Sequence, residues 1–444
     1  MKHGFARTMG FLIAIALLFA CLPAYANNGL FYYELKGNGT ARITGFNWSK
    51  YKAHEDIVIP QMIDGYTVTE IGSFAFARSV ESFEKPGKAS EGYWYVEYSD
   101  ATGARLIIPE TVQKIGEKAF LNSGIGHVSI PASVTTIGTA AFCTGKLKNA
   151  TVHADNANYA SIDGSLYSKK DKELLALAIE TTSVPNGIVS IGEYACINYK
   201  IKPEWYKVKF PSSIEVIKDY AFYNIKNSDI TYAITDKNTT KIRFDRVKSI
   251  GDYAFAMLRG DIDIYFGGAL SEIGTGAFMY ARLHGLHLEQ CTKITKIQKS
   301  TFAGYREWGS YHNRKEAFLP NSITDIGDRA FAGADTGLFS FGSMNPIFIG
   351  NYAFYNTIGG IDVGDKFFSR VESIGDSAFK EGRFKIGVKD VIDIPSSCTS
   401  IGKNAFNEKD TMFKVQPGSY AEEWAQENGY EYDNGTKADT SWLN

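Results

Sequence analysis

The sequence predicts a mainly-β repeat solenoid of about twelve coils, each with two short strands and a loop or short helical turn, closed by a cap at either end. Three observations predict it. The pattern Ile-Gly-x-x-Ala-Phe returns along the chain, as Ile71-Gly72 before Ala75-Phe76, Ile115-Gly116 before Ala119-Phe120 and Ile137-Gly138 before Ala141-Phe142. Later copies begin at Ile191, Ile217, Ile250, Ile273, Ile297, Ile326, Ile349, Ile374 and Ile401. Where copies lie closest, they are spaced by roughly 22 to 29 residues, the size of a stacked solenoid unit. Finally, the 444-residue chain exceeds what one compact core ordinarily holds, a limit that a solenoid escapes because each coil touches only its neighbours.

Residues 1–26 have the layout of a secretory signal peptide. Lys2 and Arg7 supply the charged start, Phe11 to Phe19 the apolar run, and Ala24-Tyr25-Ala26 a small-x-small cleavage site. The run is too short for a membrane helix, which needs about twenty apolar residues, and no later stretch could span a bilayer. Leu18-Phe19-Ala20-Cys21 is a rough lipobox, with bulky Phe19 arguing against lipidation. Residues 27–60 form an N-terminal cap and first strand: Leu30 to Arg42 alternates apolar and polar about a turn at Gly37-Asn38-Gly39, as a hairpin does.

Residues 61–415 are the solenoid. Each coil opens with an alternating segment ending in Pro, such as Val128-Ser129-Ile130-Pro131, Val208-Lys209-Phe210-Pro211 or Ile392-Asp393-Ile394-Pro395. Alternation buries one strand face, and Pro, lacking an N–H, ends the ladder. A second apolar pair follows, Val134 and Ile137 in the clearest copy. Gly is then expected to make a sharp turn, Ala to permit close approach between coils, and Phe to fill the interior. Each buried ring is worth about 1.5–3 kcal/mol. Lys218 and Gln298 in place of Gly, Cys196 in place of Phe and Thr301 in place of Ala preserve size or polarity class, which fits packing better than chemistry. Residues 416–444 hold a capping helix and tail. Ser419 and Glu422 form a capping box, Tyr420, Ala421, Trp424 and Ala425 make an apolar stripe, and Gly429 ends the helix.

The motif IPxxVxxIGxxAF resembles the BspA-type leucine-rich repeats of secreted and surface bacterial proteins, over nearly the whole chain beyond residue 26. The segment NYASIDGSLYSKKDKELLALA, Asn158 to Ala178, looks like a hairpin-bearing insert of that family, and VQPGSYAEEWAQENGYEYD like its C-terminal cap. Strand segments such as Leu286-His287-Leu288-Glu289 depart from the pattern by lacking Pro. The resemblance implies a leucine-rich-repeat-like stack and an extracellular or cell-surface protein that binds proteins or host surfaces.

Forty-seven basic and forty-nine acidic side chains give a formal charge of −2, with no basic stripe, so phosphate-driven nucleic-acid binding has little support. Beyond the signal segment stand Cys143, Cys196, Cys291 and Cys398. Cys196 and Cys398 take inward places in distant coils, and a disulfide needs Cα atoms within about 7 Å, so buried free thiols are expected. Cys143 with Cys196 is the one pair whose coils could be consecutive. Asn38, Asn47, Asn149 and Asn238 begin glycosylation sequons, which matter only in a eukaryotic host.

No HExxH, P-loop, GxSxG or paired CxxC motif is present, and Gly124-Ile125-Gly126 lacks the third glycine of a dinucleotide fingerprint. His284, His287 and Cys291 are near in sequence, but on a strand reading they do not converge on a metal, and the histidines are expected at the surface. Asp261 and Asp263 are expected as two exposed carboxylates rather than a glycosidase pair. The sequence therefore points to no catalytic residue, no metal and no cofactor. The candidate partner-binding residues are loop aromatics in two insertions: Tyr93, Trp94 and Tyr95 in one, Tyr305, Arg306, Trp308 and Tyr311 in the other. Tyr, Trp and Arg combine large contact area with a polar tip. The expected protein is a non-enzymatic, secreted or cell-surface monomer with capped ends, mediating protein–protein interaction or adhesion, host–microbe contact included. The alternatives are a carbohydrate-binding surface protein that uses these aromatics and a hydrolytic enzyme, which would need a cleft of convergent polar groups.

Overall fold

The computed structural model describes residues 26–27, 29–53, 55–78, 103–197, 208–225, 240–260, 262–307, 317–335, 339–340, 346–358, 367–382, 391–407 and 411–436. The expected signal segment, residues 1–26, lies outside the described residues except for Ala26. The chain divides into two compact units, Met1–Lys169 and Lys170–Asn444.

In the first unit the N-terminal hairpin forms as the alternation predicts, with Phe31–Lys36 antiparallel to Thr40–Phe46. Thr40–Phe46 then pairs in parallel with Tyr66–Ile71, and the ladder continues through Lys114–Ile115 to Thr136–Ile137. A second parallel sheet runs Ile57–Val58, Arg105–Ile107, His127–Ile130, Asn149–Val152. His127–Ile130 stops directly before Pro131, where the ladder loses its donor. Within the insert, Tyr159–Ile162 and Ser165–Ser168 form the expected antiparallel hairpin. Between the sheets Phe76, Phe120 and Phe142 are buried, with ring centroids 5.0 and 5.2 Å apart.

The second unit repeats the scheme. Two-residue strands pair in parallel with isoleucine opposite isoleucine: Ile191, Ile217, Ile250 and Ile273 in one run, Ile297, Ile326, Ile349, Ile374 and Ile401 in another. The partner sheet includes Thr240–Phe244, Ile262–Phe266 and Gly285–His287, and its C-terminal counterpart ends on Val391–Asp393, Met412–Lys414 and Glu431–Asp433. Phe222, Phe255, Phe278 and Phe302 stack face to face at 4.9, 5.2 and 5.6 Å, and all are fully buried. The column continues through Phe331, Phe354, Phe379 and Phe406. Cys196 fills the Phe place with its thiol buried, and among the described residues Cys143, Cys196, Cys291 and Cys398 are all buried thiols outside any disulfide.

The turn chemistry shows what the glycine after isoleucine does. In agreement with Lys218 and Gln298 standing in its place, it does not supply the left-handed residue. It is the point of closest approach: a Cβ on Gly116 would sit 2.4 Å from the Ser73 nitrogen, and one on Gly138 2.5 Å from that of Glu117. This closeness lets each glycine N–H reach the preceding isoleucine carbonyl, Gly116 to Ile71 at 2.7 Å and Gly138 to Ile115 at 2.8 Å. Close approach between copies therefore involves Gly, beside the buried Ala. The positive φ falls two residues later, for instance at Phe74, Lys118 and Ala140, with values of 59°, 51° and 55°.

Two of the isoleucine ladders end on a tyrosine hydroxyl. In the first unit the Ile137 N–H donates to the Tyr159 hydroxyl (2.7 Å), while Asn156 Nδ2 donates to the Pro131 and Val134 carbonyls (2.9 and 3.0 Å). In the second, the Ile401 N–H donates to the Tyr420 hydroxyl (3.4 Å). Tyr420 opens helix α1, Tyr420–Glu427, capped by Ser419 Oγ accepting from the Glu422 N–H (3.3 Å). Glu422 reaches back one residue further than a capping box requires, accepting from the Gly418 N–H (2.6 Å). Ala421, Trp424 and Ala425 are buried, Trp424 against Phe406, Phe413 and Tyr430, whereas Tyr420 is half outside the expected stripe.

Candidate functional site

The corner of the repeat builds the candidate site. Two residues after the Ile-Gly pair, the backbone N–H donates forward to the next copy: Tyr220 to the Asp252 carbonyl and Tyr253 to that of Thr275, both at 2.9 Å. That bond holds the residue left-handed, a conformation costing a non-glycine residue roughly 1–2 kcal/mol. Gly276, Ser300, Ser377 and Asn404 occupy this corner in four copies of the second unit. Yet Tyr194, Tyr220, Tyr253 and Tyr352 occupy it at φ of 54–57°, and Arg329 at 55°. Bulky side chains are unusual there.

The tyrosines form a column. Tyr194 and Tyr220 stack at 4.8 Å and Tyr220 and Tyr253 at 5.2 Å, nearly parallel, so Tyr220 is covered on both faces. Tyr253 lies over Gly276, where a Cβ would come within 2.5 Å of its ring. Tyr223 meets Tyr220 edge-on at 5.5 Å. Further along, Arg329 sits 4.8 Å above Tyr352, and Tyr355 meets Tyr352 edge-on while its hydroxyl donates to Glu381 (3.1 Å). Burial pushes the Tyr220 phenol up to about 12, helped by Tyr253, Tyr223, Asp219 and Asp252, and raises those of Tyr223 and Tyr253 as well.

Beside the column runs a groove of about 590 Å³, floored by the short parallel strands and lined by Glu193, Lys218, Asp219, Asp252, Glu272 and main chain. Its acidic residues also brace the fold. Asp219 Oδ1 accepts the Asp252 N–H (2.8 Å) and Asp252 Oδ1 the Thr275 N–H (2.7 Å), one copy onto the next. A smaller groove of about 300 Å³ follows the later ladder and includes half-exposed Phe348, Asp325 and Asp328.

Of the residues that the sequence singles out, Tyr305 is a correction. It is 2% exposed and packs edge-on against Phe302 at 6.2 Å, because its backbone continues the turn that carries that Phe into the interior. Arg306 begins the short strand Arg306–Glu307, parallel to Arg282–Leu283. Tyr93, Trp94, Tyr95, Trp308 and Tyr311 lie outside the described residues. The tyrosine column had a signal in the sequence, the Tyr before Ala in IGEYAC, IKDYAF, IGDYAF and IGNYAF. Reading those copies for their interior residues passes over it.

The histidines and Asp263 are a second correction. Asp263 is fully buried rather than exposed, and His284 is 3% exposed rather than at the surface. Their carboxylate and Nδ1 are 2.8 Å apart, and His287 Nε2 also approaches the same oxygen at 4.0 Å. Gly285 makes room, since a Cβ there would lie 2.5 Å from that oxygen. His287 stacks on Tyr265 at 3.9 Å, with Arg243 on that tyrosine at 4.9 Å. Cys291 is buried apart from them, its thiol directed at the Phe266 and Gly267 carbonyls. Among the described residues no group of three His, Cys, Asp or Glu side chains is arranged to hold a metal ion.

Comparison with known proteins agrees with the repeat. A family model described as "BspA type Leucine rich repeat region (6 copies)" matches residues 45–172, 97–229, 175–305, 230–360 and 345–419. No curated protein matches the sequence. Among solved structures, a leucine rich cell surface protein from Faecalibacterium prausnitzii is similar at 20% identity over 94% of this chain and 100% of its own, with a TM-score of 0.32. A leucine-rich repeat protein from Bacteroides ovatus is similar at 15% identity over 92% of this chain and 99% of its own, with a TM-score of 0.33. The pneumococcal vaccine antigen PcpA gives 14% identity, 94% and 100% coverage and a TM-score of 0.30. Among the described residues no helix is long and apolar enough to cross a membrane.

Proposed function

As the chain belongs to the BspA-type leucine-rich repeat family, we propose that it is a non-enzymatic, secreted or cell-surface recognition protein. Its repeats, about twelve in the sequence, would present their surface to another protein in adhesion or a related contact. The observation that carries this reading is the tyrosine column. Three left-handed tyrosines stack on one another here, whereas in other copies of the second unit Gly276, Ser300, Ser377, Asn404, Arg329 or Tyr352 takes the same place. Tyr194 is buried and Tyr220 and Tyr253 are half-buried, and backbone strain of this kind clusters at functional sites. Composition agrees, since Tyr and Arg dominate protein interface hot spots. A sugar would need an open ring face, and here the faces are taken by neighbouring rings and by Gly276, which favours a protein partner over a glycan. Tyr93, Trp94, Tyr95, Arg306, Trp308 and Tyr311 remain candidates for the same role at the two insertions.

The test is an array of extracellular proteins read in parallel with a glycan array, using wild type and the double variant Tyr220→Asn, Tyr253→Asn. Asn tolerates the left-handed corner, so the variant is expected to melt within a few degrees of wild type. Protein binding should weaken by at least about 1 kcal/mol, roughly fivefold. Glycan binding without protein binding, or protein binding that the variant leaves intact, would reject the reading.

A further inference from the structure

Asparagine followed by glycine is chemically labile, because glycine has no side chain to keep its own nitrogen from turning onto the asparagine amide. The chain holds five such pairs, beginning at Asn28, Asn38, Asn186, Asn428 and Asn434. Asn28 lies outside the described residues. In three of the other four, the glycine N–H is engaged. Gly187 donates to Ser213 Oγ (3.1 Å), Gly429 to the Gln426 carbonyl (3.3 Å) and Gly435 to Asp433 Oδ1 (2.8 Å). Two of these asparagines have their side chains held as well. Asn428 Nδ2 donates to the Trp424 carbonyl (2.8 Å) and Asn434 Nδ2 to Glu422 Oε1 (2.5 Å). Asn38 differs on both counts. It stands at the tip of the N-terminal hairpin, exposed together with Gly37 and Gly39, and left-handed at a φ of 63°. Among the described residues neither its side-chain amide nor the Gly39 N–H has a hydrogen-bond partner. The turn is fastened on either side of it instead: Thr40 Oγ1 donates to the Gly37 carbonyl (3.1 Å) and the Thr67 N–H to that of Gly39 (3.0 Å).

We infer that Asn38 is a site of spontaneous covalent modification by deamidation, and that the fold selects it over the other three described pairs. Hydroxide takes the proton of the Gly39 N–H, and the nitrogen's electron pair attacks Asn38 Cγ. The bond from Cγ to the side-chain nitrogen then breaks, and ammonia leaves with a proton from water. Water opens the cyclic imide that remains. Breaking its bond from nitrogen to Cγ gives aspartate, whereas breaking that from nitrogen to the backbone carbonyl carbon gives isoaspartate. The net change is NH for O, with water the co-reactant and no oxidant or reductant. Either product sets a carboxylate on the hairpin, adding one negative charge to the formal −2. Isoaspartate also adds a methylene to the backbone between Lys36 and Thr40, which pair directly in the strand that covers the first coil. Selection comes from the hydrogen bonds. A held glycine nitrogen must give up its bond before it can attack, which slows it by about fivefold per bond. This inference stands independently of the recognition role proposed above.

The experiment incubates the whole protein in mildly alkaline buffer, native and in urea, and follows each pair by tryptic peptide mapping with fragment-ion sequencing. Asn28 and Asn38 fall on different peptides, parted at Lys36. In the native protein the Asn38 peptide should gain about 1 Da first. Asn186 should lag about fivefold, and Asn428 and Asn434 about tenfold or more. In urea the four should react at similar rates, since they share one dipeptide. Ser213 supplies a causal test, because its hydroxyl is what holds the Gly187 N–H. Ser213→Ala should bring the native rate at Asn186 up toward that at Asn38 and leave Asn38 itself unchanged. An isoaspartyl methyltransferase should label the Asn38 peptide of aged protein and not that of fresh protein. Equal native rates at the four pairs, a ranking that urea leaves unaltered, or an Asn186 that Ser213→Ala does not quicken would overturn the inference.

Discussion

Tyr220 and Phe222 are two residues apart and show how differently neighbouring positions of one repeat are constrained. Phe222 lies in a column of parallel rings where each neighbour fills the space a smaller side chain would leave empty. Phe255→Ala, in the same column, is therefore expected to cost about 3–5 kcal/mol in chemical denaturation. Lys209→Ala, at an exposed strand position, should stay within about 0.5 kcal/mol. Equal effects would place the rings outside the core. The tyrosines report on pH instead. The phenols of Tyr220, through burial, and Tyr33, through its hydrogen bond to Asp64, are both pushed up to about 12. A phenol raised in the fold stabilises it below the unfolded pKa near 10, and that contribution is lost as pH climbs from there to about 12. Urea midpoints measured from pH 9 to 12 should fall through that window, and absorbance near 295 nm should show a group of phenols, these two among them, titrating late. The interior phenylalanines were legible because side-chain periodicity reports burial. The left-handed corner was not, since φ is set by a hydrogen bond to the next copy and that bond leaves no mark on residue type.

At the scale of elements, strands of two residues are too short to persist alone. Each is held by neighbours on both sides, so the last one depends on its cap. The sequence located the N-terminal hairpin, the insert hairpin and the C-terminal helix, because alternation, turn residues and capping residues are local signals. It misjudged Asp263 and His284, which a strand pattern places outside but which pair with one another inside the fold. Pairing across 21 positions cannot be read from spacing alone. Truncation after Val415 removes helix α1 and Glu431–Asp433, stripping Trp424 and Tyr430 from Phe406 and Phe413. The shortened chain is expected to melt lower and to associate through the bared edge. Scanning calorimetry with size-exclusion chromatography checks both, and a monomer of unchanged melting temperature would show that the helix is not a cap.

For the whole molecule, the repeat was legible from end to end because a dozen imperfect copies average out local exceptions. What the surface binds was not, for surface positions vary without disturbing the repeat. The thiols give a global test of how tightly the interior is closed. Burial pushes Cys291 up to about 12 and Cys398 up to about 11, and Cys143 and Cys196 are also buried thiols outside any disulfide. Native protein at pH 8 should resist alkylation, whereas denatured protein should gain one adduct at each of the four by intact mass. Rapid native labelling would mean that the interior opens. The tyrosine hydroxyls on Ile137 and Ile401 carry a consequence of a different kind. A hydroxyl on one side chain satisfies the terminal amide that another full repeat would otherwise have to meet, so the stop signal is portable. Repeats could be duplicated or deleted upstream of it during evolution, and the same short Tyr-bearing cassette would finish a ladder of any length.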